Sequence, residues 1–366
     1  MTRPDPDYVY IIAEAGVNHN GRRELAFELV DVAADAGADA VKFQTFNARK
    51  LASGSAPKAA YQQRSTDAAE SQLSMLQRLE LPYDLHLELQ AHARARGIAF
   101  LSTAFDTDSL DFLLGLNIPL FKVPSGELTN APLLWRFARS GLPLIVSTGM
   151  ATLSEVEQGL AVIAHALNAD AEPVDMEQVW RLWSRAEVRT SLQGRVTLLH
   201  CTSQYPTPFA EVNLRAMDTL ARAFGLPVGY SDHTEGILVP VAAVARGACV
   251  IEKHFTTDRS LPGPDHKASL EPDELRQMVR DIRAMQSVLG DGAKSPQPGE
   301  WDTRLAARQQ VVAARDLTAG AVFCRDDLTT ARCGAGLAST ELWALVGTLH
   351  SRAYSAGEPI AAGPDV

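Results

Sequence analysis

The feature that most constrains this chain is a repeat. Eight short apolar runs recur along the 366 residues, separated by stretches with helical spacing. They are YIIAEA (10–15), AVKFQTF (40–46), AFLSTAF (99–105), LFKVPSG (120–126), LIVSTGM (144–150), VTLLHC (196–201), VGYSDH (228–233) and CVIEKHF (249–255). RRELAFELVDVAADAG, between the first two, places apolar residues at helical intervals and stops at a glycine. TLSEVEQGLAVIAHAL opens with a capping-box pattern, Thr152 to Glu155. Strands alternating with helices, apolar throughout, imply a parallel sheet, and eight such repeats imply a closed (β/α)8 TIM barrel of the α/β class.

Each run ends in polar residues: Glu14; Lys42 and Gln44; Ser102 and Thr103; Lys122 and Ser125; Ser147 and Thr148; His200; Ser231 to His233; Glu252 to His254. The C-terminal ends of barrel strands converge on one mouth, where active sites sit. Residues two apart on a strand share a face, so Glu252 with His254, and Ser231 with His233, point the same way. Two histidines on adjacent strand ends can hold one divalent ion and leave positions open for water and substrate. The plainer alternative is that each imidazole is hydrogen-bonded in the barrel wall. Lys42 and Lys122, among Thr103, Ser125, Ser147 and Ser231, make a cradle for phosphate or carboxylate; the alternative is an ion pair to Glu14 or Glu127. Asp265, His266 and Lys267 fall in a Gly/Pro-rich loop near the same mouth. His200 and Cys201 are adjacent and face opposite sides, so they do not form a nucleophilic pair, and Cys201 reads as structural.

Two segments break the repeat: a polar excursion over 47–82 and an insertion over 168–195 that holds two tryptophans and reads as partly helical, with no role assigned. GDGAKSPQPGEWDTR changes the texture to Gly, Pro and charge. The chain therefore divides into a catalytic barrel (1–290), a linker (291–304) and a small, mostly β segment (305–366). A formal charge of −10 excludes a basic nucleic-acid face. The four cysteines have no CxxC spacing, which excludes a zinc ribbon or a thioredoxin motif. The opening residues hold no apolar signal core, and GILVPVAAVARGACVIE carries Arg246 and reads as a buried helix running into a strand. The expectation is a soluble, reduced, cytoplasmic protein that meets neither membrane nor nucleic acid.

IIAEAGVNHNG, VKFQTF, KVPSGELTNAPLL, STGMATLSEVE, LLHCTSQYPTPF, VGYSDHTEGI, IEKHF and PGPDHKASLEP, in this order, resemble the signatures of N-acetylneuraminate synthases and of the closely similar N,N'-diacetyllegionaminate synthases. The last 60 or so residues resemble the antifreeze-like (SAF) domain that ends those enzymes. The resemblance implies condensation of phosphoenolpyruvate with N-acetylmannosamine and water to N-acetylneuraminate and phosphate. The alternative sugar is 2,4-diacetamido-2,4,6-trideoxymannose. It implies manganese, or magnesium or cobalt in its place, on His233 and His254. It implies phosphoenolpyruvate on Lys42, Thr103, Lys122, Ser125, Ser147 and Ser231, with Ser203 nearby. It places the sugar on Gln44, Tyr205, Glu252, Asp265 and Arg332, gives Glu14 a catalytic role, and implies a domain-swapped homodimer. Ser203 stands where some members have asparagine, an asparagine near the sugar's N-acetyl group in some members falls near Asp67, and the usual Arg-Pro-Gly is Arg332-Cys333-Gly334. A pseudaminate synthase is disfavoured by NHNG and PSGE. Other classes to separate are a metal-dependent aldolase, which releases no phosphate from phosphoenolpyruvate, and a non-catalytic sugar-binding protein.

Overall fold

The computed structural model describes residues 8–361 apart from 60, 61, 64, 65 and 67–69. Eight parallel strands form one sheet: β1 (Tyr10–Gly16), β2 (Ala40–Thr45), β3 (Ala99–Ala104), β4 (Phe121–Val123), β5 (Leu144–Ser147), β6 (Val196–Cys201), β7 (Val228–Asp232) and β8 (Val250–His254). Their order is β3-β2-β1-β8-β7-β6-β5-β4, and β3 packs beside β4 to complete the ring. Every run read as a strand is one, and the barrel stands as expected.

Helices follow the strands because the intervening segments carry one apolar stripe each. Arg23–Asp35 buries Leu25, Ala26, Leu29, Val30 and Ala33 against the sheet. Leu153–Asn168 starts at Thr152, whose side chain and that of Glu155 cap each other's backbone N–H groups. The apolar stretch after β7 is the helix Leu238–Ala245 followed by β8. The 168–195 insertion forms the helices Met176–Trp183 and Ala186–Thr190, and Trp183 Nε1 donates to Glu157 at 3.0 Å. The 47–82 excursion folds over the β2 end as the helices Ala48–Leu51 and Gln72–Leu79, packed through Val17, Phe46, Met75 and Leu79. Asp67 lies outside the described residues.

Contacts divide the chain into two compact units, Met1–Gly290 and Asp291–Val366. The second holds the helix Trp301–Ala307, which runs across the expected boundary between the linker and the small segment at 304/305. Its antiparallel pairs are β9 (Gln310–Ala313) with β11 (Leu328–Ala331) and β10 (Ala321–Val322) with β12 (Leu349–His350). They enclose a core of Val311, Leu317, Phe323, Leu328, Leu342, Tyr354 and Ile360. Among the described residues no helix is long and apolar enough to cross a membrane.

Candidate active site

The two-residue strand period builds the site in layers. Ile12, Ala40, Leu101, Leu120, Ile145, Leu199 and Val250 form one apolar cluster inside the barrel. On β7 the same level is Gly229, where a Cβ would stand 2.3 Å from the Val250 carbonyl oxygen. Two residues further along each strand stand Glu14, Lys42, Thr103, Lys122, Ser147, Cys201, Ser231 and Glu252. Two further again stand Gly16, Gln44, Phe105, Pro124, Gly149, Ser203, His233 and His254. An apolar floor thus carries a charged layer, and above that lies an imidazole and amide layer.

The charged layer is buried and paired. Lys42 Nζ lies 2.5 Å from Glu14, 3.6 Å from Glu252 and 3.1 Å from Thr103 Oγ1. Lys122 Nζ lies 3.1 Å from Glu252, which also accepts a 2.9 Å bond from Ser231 Oγ. The ion-pair alternative for Lys42 is therefore realised with Glu14, whereas Glu127 bonds Asn130 at 2.7 Å instead. Burial raises the Glu14 carboxyl pKa, and Lys42 only partly opposes it. Burial acts on Glu252 too, but Lys122 and Lys42 outweigh it and hold that carboxyl far below the usual range. The two acids are thus pushed apart: Glu252 stays ionised while Glu14 can carry a proton near neutral pH. Asp265 is pushed up to about 7 by burial, with Glu14 adding to the shift.

In the layer above, the His233 and His254 ring centroids are 5.6 Å apart, and Tyr205 lies 4.1 Å from the first and 5.9 Å from the second. His233 Nδ1 is 2.7 Å from the Thr202 carbonyl, which only accepts, so Nδ1 carries the proton and Nε2 keeps a lone pair. His254 Nδ1 is buried without a hydrogen-bond partner. Burial holds both imidazoles neutral, His233 at about 4 and His254 well below its ordinary value. Among the described residues no three His, Cys, Asp or Glu side chains converge as a ligand set. A neutral, partly unpartnered imidazole pair nevertheless fits a divalent ion that keeps positions open for other ligands.

One cleft of about 470 Å³ joins these layers. It is lined by Glu14, Lys42, Gln44, Thr103, Lys122, Ser125, Ser203, Tyr205, Ser231, His233, Glu252, His254 and Asp265. Ser147 is not in that lining; its Oγ is fully buried and unpartnered. Arg332 belongs to the second unit, exposed just past β11. Sequence reasoning missed the opposite wall, where Val17, Leu51, Ala52, Met75, Leu76, Leu79 and Phe105 line the cleft with Gln62 and Gln72. It also took Cys201 as structural, yet Cys201 lines the cleft with Sγ 3.1 Å from Ser125 Oγ. The strand period could have found it, since Cys201 shares a level with Glu14 and Lys42.

Fold and cleft together define an enzyme of the (β/α)8-barrel class, with two buried lysines beside a neutral histidine pair. Residues 29–294 match the NeuB family and residues 308–363 the SAF domain. The chain is 47% identical to the N,N'-diacetyllegionaminic acid synthase of Legionella pneumophila, over 95% of this chain and 92% of that one. It is 46% identical to the enzyme of the same name from Campylobacter jejuni, over 96% and 98%. The crystal structure of an N-acetylneuraminic acid (sialic acid) synthetase from Leptospira borgpetersenii, in complex with citrate, superposes with a TM-score of 0.66 at 32% identity, covering 82% of this chain and 91% of that one. The chain belongs to the NeuB family.

Proposed function

We propose that this enzyme condenses phosphoenolpyruvate with the open-chain form of an N-acetylated amino sugar and water, giving a nine-carbon keto acid and phosphate. The observation that carries the reading is the paired cradle: Lys42 and Lys122 in one buried layer, with Thr103, Ser125 and Ser231 in the same cleft. With Glu14 protonated, two ammonium groups face one ionised carboxylate, Glu252. That layer then holds positive charge for an anionic substrate.

Lys42, Lys122 and the hydroxyls hold the phosphate and carboxylate of phosphoenolpyruvate. Tyr205, Gln44, Asp265 and Glu252 orient the sugar so that its aldehyde carbon meets the enol carbon. A divalent ion on His233 and His254, manganese by family resemblance, would supply Lewis acidity to the aldehyde. The enol carbon of phosphoenolpyruvate bonds to the aldehyde carbon, whose oxygen takes up a proton, and cationic character develops at the enol's second carbon. Water adds there and loses a proton. The tetrahedral adduct expels phosphate by C–O cleavage and becomes the keto acid. Glu14 is the group placed to hold or move a proton in these steps. Ser147 adds a hydroxyl at the level of the lysines, and Ser203 one at the level of the histidines. Arg332, on the SAF segment that follows the barrel, completes the cleft of a second copy in a homodimer.

Between the two sugars, the diacetamido-trideoxy sugar is favoured by the wall of Leu51, Met75, Leu76 and Leu79. A sugar with a C6 methyl and two acetyl methyls has apolar surface to bury there. The 47% and 46% identities to diacetyllegionaminic acid synthases support the same preference. The test is the ratio of kcat/KM for the two sugars at saturating phosphoenolpyruvate. A preference of about tenfold or more for the diacetamido sugar is expected, as one to two methyl-sized contacts provide; a preference for N-acetylmannosamine overturns that choice of sugar.

A further inference from the structure

The mechanism leaves one fully buried ion pair unused. Asp232 on β7 and Lys253 on β8 are partners in the strand register, and neither side chain is exposed to solvent at all. By the strand period they face away from the cleft, alternating with Ser231 and His233 on one strand and with Glu252 and His254 on the other. Lys253 Nζ donates to Asp232 Oδ2 at 2.6 Å and to the Thr234 carbonyl oxygen. Asp232 Oδ1 accepts the Thr234 backbone N–H at 3.1 Å, and Oδ2 accepts the Thr234 hydroxyl at 3.0 Å. The bonds run from the residue before His233 to the residue after it, and from there to the residue before His254.

Cohesion is a weak reason for such a pair. A buried ion pair replaced by apolar residues of similar size is often neutral or stabilising. What apolar residues do not supply is fixed direction. The bonds between Asp232, Thr234 and Lys253 pin the backbone on both sides of His233 and tie it to the strand position next to His254.

We infer that Asp232, Lys253 and Thr234 are positioning residues that set the separation of the His233 and His254 imidazoles for one divalent ion. The inference rests on the reading of those two histidines as the metal-holding pair. Groups that orient metal ligands from behind typically contribute about 10–100-fold to metal affinity. The trio does this from the opposite face of the barrel wall, without touching metal or substrate.

The experiment is a Mn2+ titration of the full-length, metal-stripped protein by calorimetry, with free Mn2+ followed by paramagnetic resonance. Lys253→Met alone strands Asp232 and should lower the thermal transition. Lys253→Met combined with Asp232→Asn removes both charges and should recover much of that stability. Both should bind Mn2+ about 10–100-fold more weakly than wild type. Thr234→Val keeps the side-chain shape, removes only the hydroxyl bond to Asp232, and decides the matter if the Lys253 variants do not fold; about threefold to tenfold weaker binding is expected from one lost hydrogen bond. Wild-type Mn2+ affinity in a folded double variant, or in Thr234→Val where that variant decides, overturns the inference and leaves the metal reading intact. Failure of the wild-type protein to bind Mn2+ overturns both, so the two failures are distinguishable.

Discussion

Lys122 offers the sharpest perturbation of the proposed cradle. Its ammonium lies 3.1 Å from Glu252 and its side chain is only 9% exposed, so an anion bound there meets a charge poorly screened by water. Lys122→Met keeps the apolar stem and removes the charge. A charge-assisted hydrogen bond of this kind contributes about 1.5–3 kcal/mol, which corresponds to a roughly 10–150-fold rise in KM for phosphoenolpyruvate. Of the proposed sugar contacts, Glu252 shares the layer of Lys122 while Gln44 and Tyr205 lie in the layer above, so the KM for sugar should rise far less than that for phosphoenolpyruvate. Glu252 keeps Ser231 at 2.9 Å and Lys42 at 3.6 Å, so the variant should remain folded, as thermal unfolding would show. Steady-state kinetics with each substrate varied in turn provides the readout. Equal weakening of both substrates in a folded variant would refute the assignment and point to a general structural role.

Acid should destabilise the fold through its buried histidines. Burial, with His86 and His266 adding to it, lowers His19 to about 4, and burial lowers His86 to about 4. Their unfolded values are near 6.5, so the unfolded chain binds protons between about pH 6.5 and 4 that the native chain refuses. Stability is then full above about pH 6.5 and falls by on the order of 3 kcal/mol per histidine towards pH 4; a urea midpoint unchanged across that window would contradict this. Gly149→Ala places a Cβ 2.4 Å from Ser203 Oγ and 2.7 Å from Cys201 Sγ. It should cost about 100-fold in kcat/KM while the barrel stays folded, and near-normal activity would show that the cradle tolerates displacement. Mixing inactive Arg332→Ala chains with inactive His254→Ala chains should restore activity on subunit exchange if Arg332 acts in trans. Persistent inactivity, with exchange confirmed by mass, would place it in cis.

The sequence made the barrel legible because the strands are apolar on both faces except at one end. Glu14, Lys42, Lys122, Glu252 and His254 break that pattern on the inward face, and the structure gathers them in one cleft. Polarity at a strand end alone is a coarser guide than the two-residue period. Ser102, Thr148 and His200 also end strands, yet they bond sideways or outward, to Thr45 Oγ1, the Leu199 carbonyl and the Val212 carbonyl. The apolar wall was not legible. It comes from the 47–82 excursion, which reads as polar because its few apolar residues (Leu51, Met75, Leu76 and Leu79) are spread over two helices and meet only when the chain folds back over β2. The helix Trp301–Ala307 was hidden in a similar way, by the Gly, Pro and charge around it.

The most direct test of the central claim is inorganic phosphate release from phosphoenolpyruvate, measured with Mn2+ present and each candidate sugar supplied in turn. Phosphate and a nine-carbon keto acid are expected in equal amounts, dependent on sugar and abolished by a chelator. Phosphoenolpyruvate labelled with 18O at its C–O–P bridge should deliver the label to phosphate. Product formed from pyruvate without phosphate release, or label retained in the keto acid, would contradict it.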